Sequence, residues 1–133
     1  MDDQAEIQEF LAGRVFAVVG ASRDRSKYGN KVLRCYLQHD RVAWPVHPRE
    51  SVVEGVECSP DLASLPEGVD AISIITPPEV TERIVEQAAQ AGINRVWMQP
   101  GAESPAAVER AIELGMHVIH GGPCLLVALG FRE

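Results

Sequence analysis

Hydrophobic positions along the chain follow two alternating rhythms. Short, nearly continuous apolar runs occur at Val15-Phe16-Ala17-Val18-Val19, Val42-Ala43-Trp44-Pro45-Val46, Ala71-Ile72-Ser73-Ile74-Ile75, Arg95-Val96-Trp97-Met98 and His117-Val118-Ile119-His120. Each contains β-branched or aromatic residues, and the pattern predicts five buried strands. Between them the apolar residues recur at helical spacing. The stretch from Tyr28 to His39 places Val32, Leu33, Tyr36 and Leu37 on one face, and that from Glu79 to Ala91 groups Val80, Ile84, Val85 and Ala88. Ser104-Pro105 reads as the cap and first position of a helix ending at Leu114 before Gly115, and Pro78 and Gly92 frame the preceding helix in the same way. Gln4 to Leu11 predicts an N-terminal helix packed across the first strand. Strands alternating with helices mark parallel α/β architecture. The expectation is one domain over residues 1–133 with a Rossmann-like, doubly wound parallel sheet of five to six strands in three layers.

Gly55-Val56-Glu57-Cys58 is short and half apolar, which suits a sixth strand at an edge. Pro45 cannot donate to a ladder from a central position. It marks either the place where the second strand leaves the sheet or a strand with a neighbour only at its beginning. Right-handed crossovers then put the weak strand and the second strand on one side of the first, and the strands at Ala71, Arg95 and His117 on the other. The order reverses between the first strand and the one ending at Ile75, so a ligand is expected there, at the carboxyl ends of the strands.

Size and charge narrow the function. The 133 residues, 46 % hydrophobic and 23 % charged, fit one ordinary globular domain and not a two-domain enzyme. Twelve basic against nineteen acidic residues, net −7, oppose a broad nucleic-acid surface, because phosphate binding needs excess positive charge. No apolar run reaches the roughly 18 residues of a membrane span, and MDDQAEIQEF lacks the basic start of a secretory signal. Cys35, Cys58 and Cys124 have the spacing of neither a disulfide framework nor a zinc site, so a reducing cytoplasm is expected, with Cys35 and Cys58 as packing residues.

The loop after the first strand reads Gly20-Ala21-Ser22-Arg23-Asp24-Arg25-Ser26-Lys27-Tyr28-Gly29 and opens directly into a helix. Small residues there let backbone N–H groups approach an anion, and the helix start adds its partial positive charge. The loop matches neither the dinucleotide fingerprint GxGxxG nor a P-loop, since Tyr28 follows Lys27 where a P-loop has Ser or Thr. From Ser22 to Arg34, Arg23, Arg25, Lys27, Lys31 and Arg34 face a single acid, Asp24, so positive charge gathers where a phosphate would sit; the bland alternative is a solvated basic helix face. After the second strand, Val46-His47-Pro48-Arg49 stands where NAD-binding domains carry an acid for the ribose. Arg49 suits an additional phosphate, as in coenzyme A or NADP, whereas the alternative for His47-Pro48 is a simple turn. Ile75-Thr76-Pro77-Pro78 forms a stiff wall whose hydroxyl and carbonyls suit an adenine or ribose.

The candidate chemistry is sparse. His117 and His120 lie three apart on one strand and point to opposite faces, so they cannot share a metal, and no metal site is expected from the four histidines. No Ser–His–Asp set, Cys–His pair or carboxylate pair can be placed at the site, so no catalytic residue is assigned. His120, at the carboxyl end of the last strand, is the one histidine that could reach the site, with Gly121-Gly122 and Cys124 beyond it. Cys124 reads as a small packed residue or, alternatively, as the partner of a ligand thiol in a mixed disulfide.

In order and spacing, Gly20-Ala21-Ser22 with Lys27-Tyr28-Gly29, Pro45-Val46-His47-Pro48-Arg49, Val69-Asp70 leading to Ile75-Thr76-Pro77, Gln99-Pro100-Gly101 and Gly122-Pro123-Cys124 resemble the CoA-binding domain family. That family comprises stand-alone CoA-binding proteins and the first domain of the succinyl-CoA synthetase α subunit and of NDP-forming acyl-CoA synthetases. The resemblance runs from about Arg14 to Val127. It implies that Gly20, Ala21, Ser22, Arg23, Lys27, Tyr28 and Gly29 hold the phosphates of CoA or an acyl-CoA. It also places His47, Pro48 and Arg49 near the adenosine end, Ile75, Thr76 and Pro77 along the nucleotide, and Gln99 at the crevice. The synthetases need a phosphorylated histidine in a second domain and a nucleotide-grasping part, and 133 residues leave no room for either. Where synthetases tend to have Asn before the closing cysteine, this chain has Pro123. The expected function is therefore non-covalent CoA binding without catalysis, as carrier, sensor or accessory to a protein partner. An NADP-dependent oxidoreductase or redox sensor is the rival. A sheet edge and the N-terminal helix leave a homodimer open.

Overall fold

In the computed structural model, which describes residues 3–133, the chain runs α1 (Asp3–Leu11), β1 (Val15–Val19), α2 (Tyr28–Gln38), β2 (Val42–Val46), β3 (Val52–Val53), β4 (Val56–Glu57), β5 (Ala71–Ile74), α3 (Pro78–Gln90), β6 (Arg95–Met98), α4 (Pro105–Glu113) and β7 (His117–Ile119). A 3₁₀ turn at Leu62–Ser64 precedes β5, and a single wide turn, Leu126–Gly130, follows Cys124. Five strands form one parallel sheet in the order β2-β1-β5-β6-β7, with helices on both faces, so the doubly wound three-layer fold is as expected. The period of two along the strands sorts the core. Ala17, Val19, Ile72, Ile74, Val96 and Met98 face α3 and α4, while Phe16, Val18, Ala71, Trp97 and Ile119 face α1, α2 and the C-terminal turn.

Two expectations are corrected at the β2 edge. The piece at Val56–Glu57 is no sixth strand of the sheet; it pairs antiparallel with Val52–Val53 in a separate hairpin. Its continuation hydrogen-bonds to the sheet's backbone through Ser59, which donates N–H to Pro45 O at 3.0 Å and accepts from His47 N–H at 3.0 Å. Nor does Pro45 mark an exit from the sheet or a neighbour at the strand's beginning, because β1 pairs with β2 along its whole length from Val42 to Val46. Val46 O accepts from Gly20 N–H on the β1 side, and Pro45 O points the other way to Ser59. The proline nitrogen therefore faces the outer edge, where the ladder needs no donor.

The N-terminal helix does cross β1 and continues beyond it. Phe10 stacks on Phe16 at 5.5 Å and meets Trp97 edge-on at 5.2 Å, while Arg95 reaches Glu9 at 3.1 Å and His117 lies 3.3 Å from Glu6. Asp70, at the amino end of β5, accepts the N–H groups of Arg14 and Val15 at 3.0 and 3.2 Å, which sets the β1–β5 register from the end opposite the crevice.

One polar pair lies inside the core. The Tyr36 hydroxyl is 2.6 Å from Ser73 Oγ, both residues are fully buried, and burial raises the Tyr36 hydroxyl far above the usual phenol range. Removing one partner strands the other, whereas removing both does not. Tyr36→Phe is therefore expected to cost about 1–2 kcal/mol in a urea titration, and Tyr36→Phe with Ser73→Ala to recover part of that loss. A double variant no more stable than the single one overturns the pairing.

Candidate functional site

At the carboxyl end of β1 the backbone turns through Gly20, whose φ of +95° already favours glycine. A Cβ on Gly20 would overlap the carbonyl oxygen of Ile75, and one on Gly29, in the first turn of α2, would overlap the carbonyl oxygen of Gly20. The two glycines of the loop therefore touch, and one of them also touches the end of β5. What lies between is a closed loop at the switch point. Ala21 and Gly29 are buried at its base, Ser22 is half-buried, and residues Arg23 to Tyr28 are exposed, Tyr28 by 60 %.

Local hydrogen bonds shape this loop. Ser22 Oγ accepts the Asp24 N–H at 3.0 Å, and Asp24 Oδ1 accepts both the N–H and the hydroxyl of Ser26, at 3.0 and 2.7 Å. These Ser26 bonds hold the Asp24 carboxyl below its ordinary value. Lys27 then stands at the N-cap in extended conformation, and its side chain gives the helix no capping acceptor; the first turn also has no acid. A positive side chain thus sits beside leading amides that no side chain caps.

The remaining basic residues of the loop and helix have partners of their own. Arg34 is buried and structural: its Nε donates to Asn30 Oδ1 at 2.6 Å and its Nη2 to Arg25 O at 2.9 Å. Asn30, fully buried, donates through Nδ2 to Ser22 O and to Glu54, both at 2.9 Å. Arg25 lies 3.5 Å from Glu54, Arg23 lies 3.9 Å from Glu50, and Lys31 lies 3.7 Å from Glu133 and over the Tyr28 ring. Lys27 forms no ion pair among the described residues. Ser22–Arg34 carries five cations, but acids from distant segments offset three of them, and Arg34 is taken up inside the loop.

The other predicted site residues divide by location. Gly20 hydrogen-bonds Val46 and lies against Ile75 and Thr76, so the ends of β1, β2 and β5 meet. His47 Nδ1 accepts the N–H groups of Arg49 and Glu50 at 3.0 and 3.2 Å, so its ring shapes the turn in which Pro48 and Arg49 are exposed. The Thr76 hydroxyl is 2.7 Å from that of buried Thr81, which also donates to Pro77 O at 3.2 Å. Gln99 follows β6, two strands from β1. It is buried, accepts Leu125 N–H at 2.8 Å and donates to Cys124 Sγ at 3.4 Å, which makes it the tie of the closing segment. Burial pushes the Cys35 thiol up to about 11 and raises that of Cys58, in keeping with packing roles. Among the described residues no three His, Cys, Asp or Glu side chains gather as a metal site.

Two concavities of about 570 Å³ each lie away from the loop. One runs along Leu62, Leu65, Val69 and α3 near the amino end of β5, and the other lies between α4 and His120. The loop site is an open surface feature. Asn30, Glu54 and Thr81 are parts of it that the sequence reading missed. Glu54-Gly55 between Val52-Val53 and Val56 has the length of a two-residue hairpin turn, a signal that leads to Glu54.

A parallel sheet whose order reverses between β1 and β5, with a glycine-pinned loop and an uncapped helix start at that reversal, defines a doubly wound, Rossmann-like α/β protein. The chain belongs to the CoA binding domain family, which matches residues 14–130. It is 26 % identical over 98 residues to ADP-forming acetate–CoA ligase I of Archaeoglobus fulgidus and 30 % identical over 132 residues to a trans-feruloyl-CoA synthase from an unknown prokaryotic organism. Those matches cover 74 and 90 % of this chain but 14 and 18 % of the relatives, so the chain spans less than a fifth of either length. A conserved hypothetical protein of Pyrococcus furiosus has a similar structure, with a TM-score of 0.82 and 35 % identity over 86 % of this chain and 97 % of that one. Among the described residues no helix is long and apolar enough to cross a membrane.

Proposed function

We propose that this protein binds coenzyme A or an acyl-CoA non-covalently at the β1–β5 reversal, that residues 1–133 act as one domain for this purpose, and that the domain performs no chemistry alone. The observation that carries the reading is the start of α2, where Lys27 and uncapped amides stand at the mouth of a loop pinned by Gly20 and Gly29. CoA fits this donor set. Its phosphates would be held by Gly20, Ala21, Ser22, Arg23, Lys27, Tyr28 and Gly29, its adenosine end would lie near His47, Pro48 and Arg49, and Ile75, Thr76 and Pro77 would wall the nucleotide. Gln99 would support the far side by fixing the Cys124 segment. The role would be that of a carrier, sensor or accessory to a protein partner in the cytoplasm.

A thermal-shift series with CoA, acetyl-CoA, NADP, NAD and ATP tests this. A ligand at a hundredfold excess over its Kd adds about 2.7 kcal/mol of apparent stability. Stabilisation is expected from CoA or acetyl-CoA. Stabilisation by NADP with none from CoA would replace the reading with an NADP-dependent oxidoreductase or sensor, to which exposed Arg49 after β2 is also suited.

A further inference from the structure

We propose that Glu54, at the tip of the β3–β4 hairpin, sets the affinity of the anion loop by two opposed contacts: it fixes the loop's shape through Asn30 and offsets its charge through Arg25. The inference rests on reading that loop as the anion site. Glu54 and Gly55 have φ of +51° and +77°, the paired left-handed conformation of a tight hairpin turn, which is uncommon for a residue other than Gly, Asn or Asp. The hairpin is anchored by fully buried Val53, and it delivers one carboxylate oxygen, Oε2, to Asn30 Nδ2 at 2.9 Å and to Arg25 Nε at 3.5 Å. Through Asn30 and Arg34, the carbonyls of Ser22 and Arg25 are both tied to α2. Glu54 closes this network from outside the loop, 24 residues along the chain from Asn30.

The two contacts have opposite consequences for an arriving anion. Holding Asn30 keeps the loop in one shape, so less ordering remains to be done on binding. The negative charge beside Arg25 offsets that guanidinium's pull on the same anion, an electrostatic effect that added salt screens. Glutamine keeps an acceptor for Asn30 and removes the charge, whereas alanine removes both, so the two substitutions separate the contributions.

The test combines calorimetric titration of CoA and of inorganic pyrophosphate with hydrogen exchange on the ligand-free protein, for wild type, Glu54→Gln and Glu54→Ala. Glu54→Gln is expected to bind roughly two- to fivefold more tightly at low salt, with the gain shrinking near about 0.5 M salt. Glu54→Ala is expected to bind more weakly than Glu54→Gln and to speed exchange at the amides of residues 22–27, which Glu54→Gln leaves protected. Equal or weaker binding by Glu54→Gln overturns the charge contact. Exchange unchanged in Glu54→Ala overturns the shape contact, whether or not CoA binds. Wild type that binds neither probe overturns the reading of the loop instead, and the exchange result still decides whether the hairpin holds it.

Discussion

Gly29→Ala is expected to destabilise this protein, although glycine to alanine inside a helix usually adds up to about 1 kcal/mol. The new methyl would overlap the Gly20 carbonyl oxygen, and Gly20 cannot retreat because its own α-carbon is packed against the carbonyl of Ile75. Overpacking of this kind costs about 1–3 kcal/mol when the obstacle is backbone, so the sign of the usual effect reverses. Gly20→Ala is expected to lose more, since its φ of +95° adds about 1–2 kcal/mol of strain for any residue with a Cβ. Urea unfolding reads both, and CoA titration is expected to show binding lost with the loop's closure. A Gly29→Ala protein as stable as wild type means that α2 does not seat against β1 through this glycine.

Lys27→Ala is expected to leave the apo protein's unfolding unchanged and to weaken CoA roughly 10- to 100-fold, because a charge-assisted contact to phosphate contributes about 1.5–3 kcal/mol. The contrast with Arg34 sharpens this. Arg34→Ala removes a buried guanidinium that holds Asn30 and the Arg25 carbonyl, so its first effect is on folding stability. Lys27 sits at the N-cap without an ion pair among the described residues, so its effect falls on the ligand. Calorimetry at fixed salt distinguishes them, and unchanged CoA affinity in Lys27→Ala would move the phosphates away from this helix start.

Elements whose cause is local were legible in the sequence. The β5 and β6 runs, the Pro78 start of α3 and the Ser104 cap, whose Oγ accepts the Ala107 N–H at 3.0 Å, follow from neighbouring residues alone. The sheet order followed from crossover handedness, which is a general rule of the chain. Features with distant partners were not legible. The charge count around Lys27 could not show that Glu54, Glu50 and Glu133 stand opposite Arg25, Arg23 and Lys31. The hairpin at Val56–Glu57 is the exception, since its partner Val52–Val53 is a sequence neighbour and the two-residue Glu54-Gly55 turn between them is a local signal. The turn at Leu126–Gly130, framed by Gly121-Gly122-Pro123 and ended by Gly130, is held in place by contacts across the chain, with His39 Nε2 2.7 Å from Gly130 O and Gln38 accepting the Arg132 N–H at 2.9 Å.

The contact between Gly20 and Ile75 also bears on when the site comes into being as the chain folds. A partly folded chain holding only β1, α2 and β2 has the loop and its helix, but the wall against which Gly20 rests belongs to β5, whose pairing with β1 joins Phe16 to Ala71. Closing that long segment is the slow, entropically costly event in a parallel sheet. On the proposed reading, ligand affinity therefore reports on completed topology, and a CoA analogue added during refolding should capture molecules only after the central strands have joined.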